Sequence, residues 1–275
     1  MQRRNVIPAL AATAGPAIAR EDRASATPRA EEASAFGDPS ALFPENAALR
    51  RILSRLAKAA AGKAAALSSR ERKIAVLAAW AGTGCAEALE EKMGDLVGED
   101  FKAEEVRELL YQSTAYLGAG RTARLFAAMS RGFQNAGIAC PDETKALEGD
   151  RRTEGNRLQV EGYGPRLERI WERVDPALAP VYELLAENCF GDYYARKCPD
   201  LTWQEREGYT FLLLAAFAMA PAQARSHAAG SLRCGILREK LLASLWVMVP
   251  WIGYPSTLNA MAAIDEAVKA ARAAK

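Results

Sequence analysis

Two stretches of this chain begin alike and continue alike. LSSRERKIAVLAAWAG starts at Leu67, and LTWQEREGYTFLLLAAFA starts at Leu201. Each opens with a hydroxyl residue followed three positions later by a glutamate, Ser68 with Glu71 and Thr202 with Glu205. That pair satisfies the first free amides of a helix. Each stretch then runs into an apolar helix, a second helix and a short break. Beyond the break, EEVRELLYQSTAYLGAGRTARLFAAM in the first half matches LREKLLASLWVMVPWIGYPSTLNAM in the second, with Gly118 at the place of Gly253. The spacing differs by a single residue. From residue 44 onward the apolar period is helical, with no convincing strand alternation. A helical unit written twice predicts an all-α chain.

The expected organisation is a leader and linker over 1–44, a first copy over 45–140, a polar connector around 140–165, and a second copy over 160–275. The leader MQRRNVIPALAATAGPAIA has two arginines and a small-residue A-x-A ending at Ala19, and resembles a bacterial export signal. Pro8, Gly15 and Pro16 interrupt its apolar run, so a disordered leader is an equal alternative. The first reading places the protein in the periplasm or outside the cell, the second in the cytoplasm. Residues 20–43, rich in Ala, Ser, Pro and charge, read as a linker.

With 275 residues the chain can bury one large core or two smaller ones. Its 36 Lys and Arg against 34 Asp and Glu leave a formal charge of +2, and no single predicted helix reads as basic, so no nucleic-acid partner is expected. No apolar run reaches the roughly 18 residues of a membrane span. FLLLAAFAMA (211–220) and LLASLWVMVPWIG (241–253) read as buried helices. The five cysteines, at 85, 140, 189, 198 and 234, form no C-x-x-C pair, and the chain has one histidine. A Cys/His zinc site is therefore not expected, and free thiols are.

That single histidine, His227, lies in PAQARSHAAGSLRCG (221–235). Counted from the capping boxes, Gln223, His227 and Ser231 fall where the first half has Leu89, Met93 and Val97. Positions i, i+4 and i+8 share one face of a helix. A stripe that is apolar in one half and polar in the other predicts a lined site in place of a packed core, since an unpartnered buried polar group costs about 1–3 kcal/mol.

Three further stretches carry a resemblance: ENCFGDYYARKCPDLTWQERE, QARSHAAGSLRCG and WIGYPSTLNAM. Together with the doubled pattern, they resemble the carboxymuconolactone decarboxylase family, over roughly residues 45–270. The resemblance implies two tandem copies of an alkylhydroperoxidase-like helical unit, a ring-like homo-oligomer built of trimers or hexamers, and no cofactor or metal. It also implies a histidine in a stretch like His227-Ala-Ala-Gly and an Ile-Gly-x-Pro turn, here Ile252 to Pro255. The peroxidase branch of the family carries C-x-x-C just before that histidine. This chain has Ala220 and Gln223 there. The decarboxylase branch often has an acidic residue where Gln223 stands.

His227 is accordingly the expected general acid/base, acting on a small carboxylated or lactone-like substrate, because an imidazole exchanges protons near neutral pH. Glu207, on the preceding helix, is its expected partner, with Glu205 reserved for the cap. Gln223, Ser231, Trp246 and Tyr254 are candidate substrate contacts, with Ser231 expected to hydrogen-bond the histidine. Arg225 is expected to be solvated or at a subunit contact, and Cys234 to line the end of its helix. The first half reads as structural, although Tyr111, Gln112 and Tyr116 could reach a site across an interface. The rival readings are a peroxiredoxin-like thiol chemistry pairing Cys85 with another cysteine such as Cys189, and a non-catalytic ligand-binding oligomer.

Overall fold

The two capping boxes form as their spacing dictates. In a computed structural model, which describes residues 37–142 and 149–273, the Ser68 amide donates to Glu71 at 2.8 Å and the Glu71 amide donates to Ser68 Oγ at 3.2 Å. Thr202 and Glu205 repeat the pair at 2.9 and 3.2 Å. The helices in chain order are α1 (Ala47–Lys63), α2 (Ser69–Thr83), α3 (Ala86–Glu91), α4 (Met93–Leu96), α5 (Ala103–Leu117), α6 (Ala119–Asn135), α7 (Arg151–Tyr163) and α8 (Ala179–Leu184). A π-helix over Leu185–Tyr194 follows, then α9 (Trp203–Phe217), α10 (Pro221–Arg233) and α11 (Arg238–Ala273). The fold is all-α, with one isolated bridge between Gly98 and Phe101 and no strand among the described residues.

The matched segments share backbone detail. α2 and α9 both end on a left-handed residue, Gly84 (φ 71°) and Ala218 (φ 59°). Gly118 (φ 75°, ψ 157°) and Gly253 (φ 73°, ψ 172°) adopt one conformation, in a region open essentially to glycine alone. α2 and α9 pack against each other at the centre of the main core, beside Trp80, Tyr209, Phe211 and Met248. Their approach is close: a Cβ on Gly82 would stand 2.5 Å from the Ala216 Cβ. Around this crossing, Arg70 of α2 pairs with Glu205 of α9 and Glu105 of α5, while Lys240 of α11 pairs with Glu71 at 2.6 Å.

Several expectations need correction. The proposed leader over 1–19 lies outside the described residues, as does most of the linker. Its last part, however, is folded: Asp38 caps a 3-10 turn over Pro39–Leu42, and the Gly37 carbonyl accepts from Trp251 Nε1 at 3.0 Å. The polar connector contains a helix, α7, which crosses the expected domain boundary at 160. Its polar composition hid it, because one face packs on the π-helix backbone in place of an apolar stripe: a Cβ on Gly155 would meet the Ala186 carbonyl at 1.9 Å. The helix expected to carry Leu89, Met93 and Val97 breaks at Lys92, which leaves Val97 half-buried at the end of α4. One helix is basic after all. α1 holds Arg50, Arg51, Arg55, Lys58 and Lys63 and no acidic residue.

The stretch Arg238–Ala273 is long and apolar enough to cross a membrane by length and composition. Gly253 interrupts it, and Leu241, Leu245, Met248 and Ile264 are buried in the main core.

Burial alone would raise the Glu205 carboxyl, but the bonds from Arg70 and Thr202 outweigh it and hold the group below its ordinary value. A carboxyl depressed on folding stabilises fully above its unfolded pKa of about 4.3, and that contribution is lost as pH falls through the folded value. Glu205→Gln removes the titration. The urea midpoint of the native chain is therefore expected to fall more steeply than that of the variant between about pH 5 and pH 3. Equal slopes would contradict this account of the junction.

Candidate active site

Three elements that are distant in sequence deliver one polar side chain each to a single point. α9 supplies Glu207 from its second turn, α10 supplies His227 from its middle, and α7 supplies Tyr163 as its last residue. The Tyr163 hydroxyl lies 2.7 Å from both Glu207 oxygens and 2.7 Å from His227 Nδ1. His227 Nδ1 lies 2.9 Å from Glu207 Oε1. All three residues are buried, Glu207 to 1 % exposure. Gly230, one turn beyond the histidine, makes room for the carboxylate, since a Cβ there would sit 2.1 Å from Glu207 Oε1.

The protons of this triangle follow from its neighbours. Burial pushes the Tyr163 phenol well above its ordinary range, so it stays protonated and donates. Tyr163 O–H donating to Glu207, and Nδ1–H directed at the carboxylate and the phenol oxygen, satisfy all three groups when Glu207 is ionised. In a neutral ring this arrangement leaves the lone pair on Nε2. Nε2 makes no hydrogen bond among the described residues, while the ring keeps 9 % of its side chain exposed.

A second hydroxyl chain runs alongside. The Thr210 hydroxyl donates to the Arg206 carbonyl at 3.0 Å, so Thr210 Oγ1 must accept from Tyr194 at 2.6 Å. Tyr194 in turn accepts from Tyr116 at 3.0 Å, and Tyr116 from the Cys189 thiol at 3.8 Å. The direction is fixed because each hydroxyl has a single proton. The Tyr116 ring stands edge-on to His227, with centroids 5.4 Å apart. Burial pushes the Tyr116 and Tyr194 phenols well above their ordinary range and raises Cys189 to about 12. The wall beside the histidine is thus neutral, hydroxyl-lined and proton-rich.

His227 and Glu207 meet as the sequence suggested. The candidate substrate contacts divide. Ser231 is fully buried one turn after His227, but its Oγ has no hydrogen-bond partner, so the expected bond to the histidine is absent. Trp246 packs on the main core from α11. Gln223 and Tyr254 are exposed, and the buried polar stripe shrinks to His227 and Ser231. Gln223 shares the face of His227 but lies in the first turn of α10, which begins at Pro221, and is exposed there. Arg225 is solvated, 3.8 Å from Glu266, and Cys234 caps the end of α10. Gln112 and Tyr116 act within their own chain: Gln112 bonds Thr210 at 2.7 Å and accepts from Arg206 at 3.0 Å. Tyr111 packs on Phe126.

Sequence reasoning missed Tyr163 and Tyr194, and named Cys189 only as a thiol partner for Cys85. A tyrosine ending a helix just before Gly164 was the available signal for the first. Among the described residues, no group of three or more His, Cys, Asp and Glu side chains could hold a metal ion. A hollow of about 300 Å³ lined by Leu214, Ala224, Arg225, Asn259 and Glu266 begins one turn before His227 and does not include it.

Compared with known protein families and with curated proteins, the sequence matches none.

Four of the five thiols are shielded from solvent in whole or in part. Burial raises Cys85, and raises Cys198 and Cys234 to about 11. Cys140 is exposed. Alkylation of the folded chain at about pH 8 is expected to label Cys140 rapidly and Cys189 only on unfolding, read by peptide mass mapping. Rapid labelling of Cys189 would contradict its assigned burial.

Proposed function

We propose that this chain is a cofactor-independent acid/base catalyst, a lyase or isomerase acting on a small carboxylated or lactone-like substrate. The resemblance to the carboxymuconolactone decarboxylase family suggested that class. The observation that carries it is the buried Glu207 carboxylate set against His227 Nδ1, with Tyr163 closing the triangle and Nε2 facing outward from it. Such an arrangement serves a base. The carboxylate fixes the tautomer and stabilises the imidazolium that forms when Nε2 takes a proton.

In this reading Nε2 removes a proton from the carbon next to a carbonyl, and the electron pair moves into an enolate. The imidazolium then returns the proton to a carbon further along, which moves the double bond. Where the substrate carries a carboxylate on the reacting carbon, the ring must start as the imidazolium: the C–C bond breaks, CO₂ leaves, the electron pair of that bond forms the enolate, and the proton on Nε2 passes to carbon and leaves the ring neutral. Tyr163 and Glu207 are positioning residues; His227 is the catalytic one. The peroxiredoxin-like alternative has weaker support, because the buried thiols are shifted away from thiolate.

The test is proton exchange. Small carboxylated lactones and unsaturated acids are incubated with the full chain in D₂O and followed by ¹H NMR. Turnover or deuterium uptake is expected with the native protein, falling about 10²–10⁴-fold in His227→Gln. It is expected to survive alkylation of the thiols. No exchange on any substrate, or loss on alkylation with His227→Gln unaffected, would overturn the reading.

A further inference from the structure

The basic helix α1 has no use in the chemistry above. It packs on the rest of the fold through Ala57 and Ala60. Its outer face carries Arg51, Arg55 and Lys58 at i, i+4 and i+7, a single stripe. Arg50 and Lys63 are also exposed. None of the five makes an ion pair or side-chain hydrogen bond among the described residues. Other arginines of this chain behave differently: Arg131, Arg151, Arg157 and Arg238 each hold a carboxylate at 2.6–2.8 Å. One apolar side chain stands beside the α1 cations, Ile52 (52 % exposed). A shallow hollow beside Ile52 is lined by Ala48, Arg51, Arg55 and Lys58. Unpaired cations around an exposed isoleucine describe a surface without its partner.

The complementary surface is on the same chain. Glu87 and Glu91 share one face of α3, Asp95 and Glu99 follow beyond the break at Lys92, and all four are exposed. Among them only Asp95 has an ion pair, with Lys92 at 3.8 Å. No ion pair joins this acidic stripe to α1 within one chain among the described residues. Arg51 and Arg55 on α1 stand about 6 Å apart along the helix axis, as do Glu87 and Glu91 on α3, so the two charged pairs have the same spacing. The net charge of +2 puts little general repulsion between two copies.

We propose that α1 of one copy docks on the α3–α4 acidic stripe of a second copy of this chain. Charge complementarity selects this occupant, and Ile52 supplies an apolar contact beside its ion pairs. The contact is head-to-tail. Each chain offers one basic and one acidic stripe, so the assembly closes into a ring or extends as a chain, according to the rotation between copies. The proposal is independent of the chemistry at His227.

Sedimentation velocity on the full chain tests it, over about 1–200 µM protein and at about 0.05 and 0.5 M salt, the higher of which screens exposed charges beyond a few ångströms. Wild type is expected to self-associate and to weaken at least about tenfold at the higher salt. The charge reversals Arg51→Glu with Arg55→Glu, and Glu87→Lys with Glu91→Lys, alter exposed side chains. Each double variant is expected to remain folded by circular dichroism and to sediment as a monomer. An equimolar mixture of the two is expected to associate again, because the reversed stripes are complementary. A wild type that stays monomeric, or an association unchanged in both variants, would overturn the proposal. So would variants that lose association without recovery on mixing.

Discussion

A carboxylate taken out of water demands compensation, and the second half of this protein is arranged around supplying it to Glu207. An unpaired buried charge costs several kcal/mol. Two hydrogens meet it, one from Tyr163 and one on His227 Nδ1, and the absent side chain of Gly230 lets α10 approach closely enough to deliver the second. α7, α9 and α10 are therefore coupled through one side chain. The protonated wall of Tyr116, Tyr194 and Cys189 offers no competing negative charge, so the carboxylate directs its field onto the imidazole.

The two halves share a frame and differ in its chemistry. Counted from the capping boxes, the place of Glu207 is taken by Lys73 in the first half and that of His227 by Met93. Lys73 turns toward Asp100 at 2.6 Å, and Met93 is fully buried. Two differences remove the Glu207–His227 contact together. What the halves retain in common is the scaffold: the boxes, the left-handed ends of α2 and α9, and the paired glycines Gly118 and Gly253. The close contact at Gly82 then locks one frame to the other.

Sequence reasoning saw that frame because local signals wrote it. Capping boxes and helical apolar periods act within a few residues, and the two glycines require a backbone that side chains exclude. His227 was legible through its singularity and Glu207 through its place on the preceding helix. Tyr163 was not, because α7 packs backbone against backbone and carries no apolar stripe to announce it. Cys189 and Tyr194 sit on a π-helix, where counting by 3.6 misplaces every face. The break at Lys92 displaced Val97 from the stripe, and the start of α10 at Pro221 left Gln223 in an exposed first turn. Ser231 was located correctly as buried, but its bonding was not, since a hydroxyl rotor depends on neighbours that sequence does not place.

The central claim is that Glu207 and Tyr163 hold the proton on His227 Nδ1 and leave Nε2 as the base. With one histidine in the chain, ¹⁵N-labelled imidazole gives a single pair of ring nitrogens, and their shifts distinguish the tautomers directly. The account predicts a protonated Nδ1 and an unprotonated Nε2 in the neutral ring. In Glu207→Gln the preference should be reduced. A native ring protonated at Nε2, or one unaltered by Glu207→Gln, would contradict it.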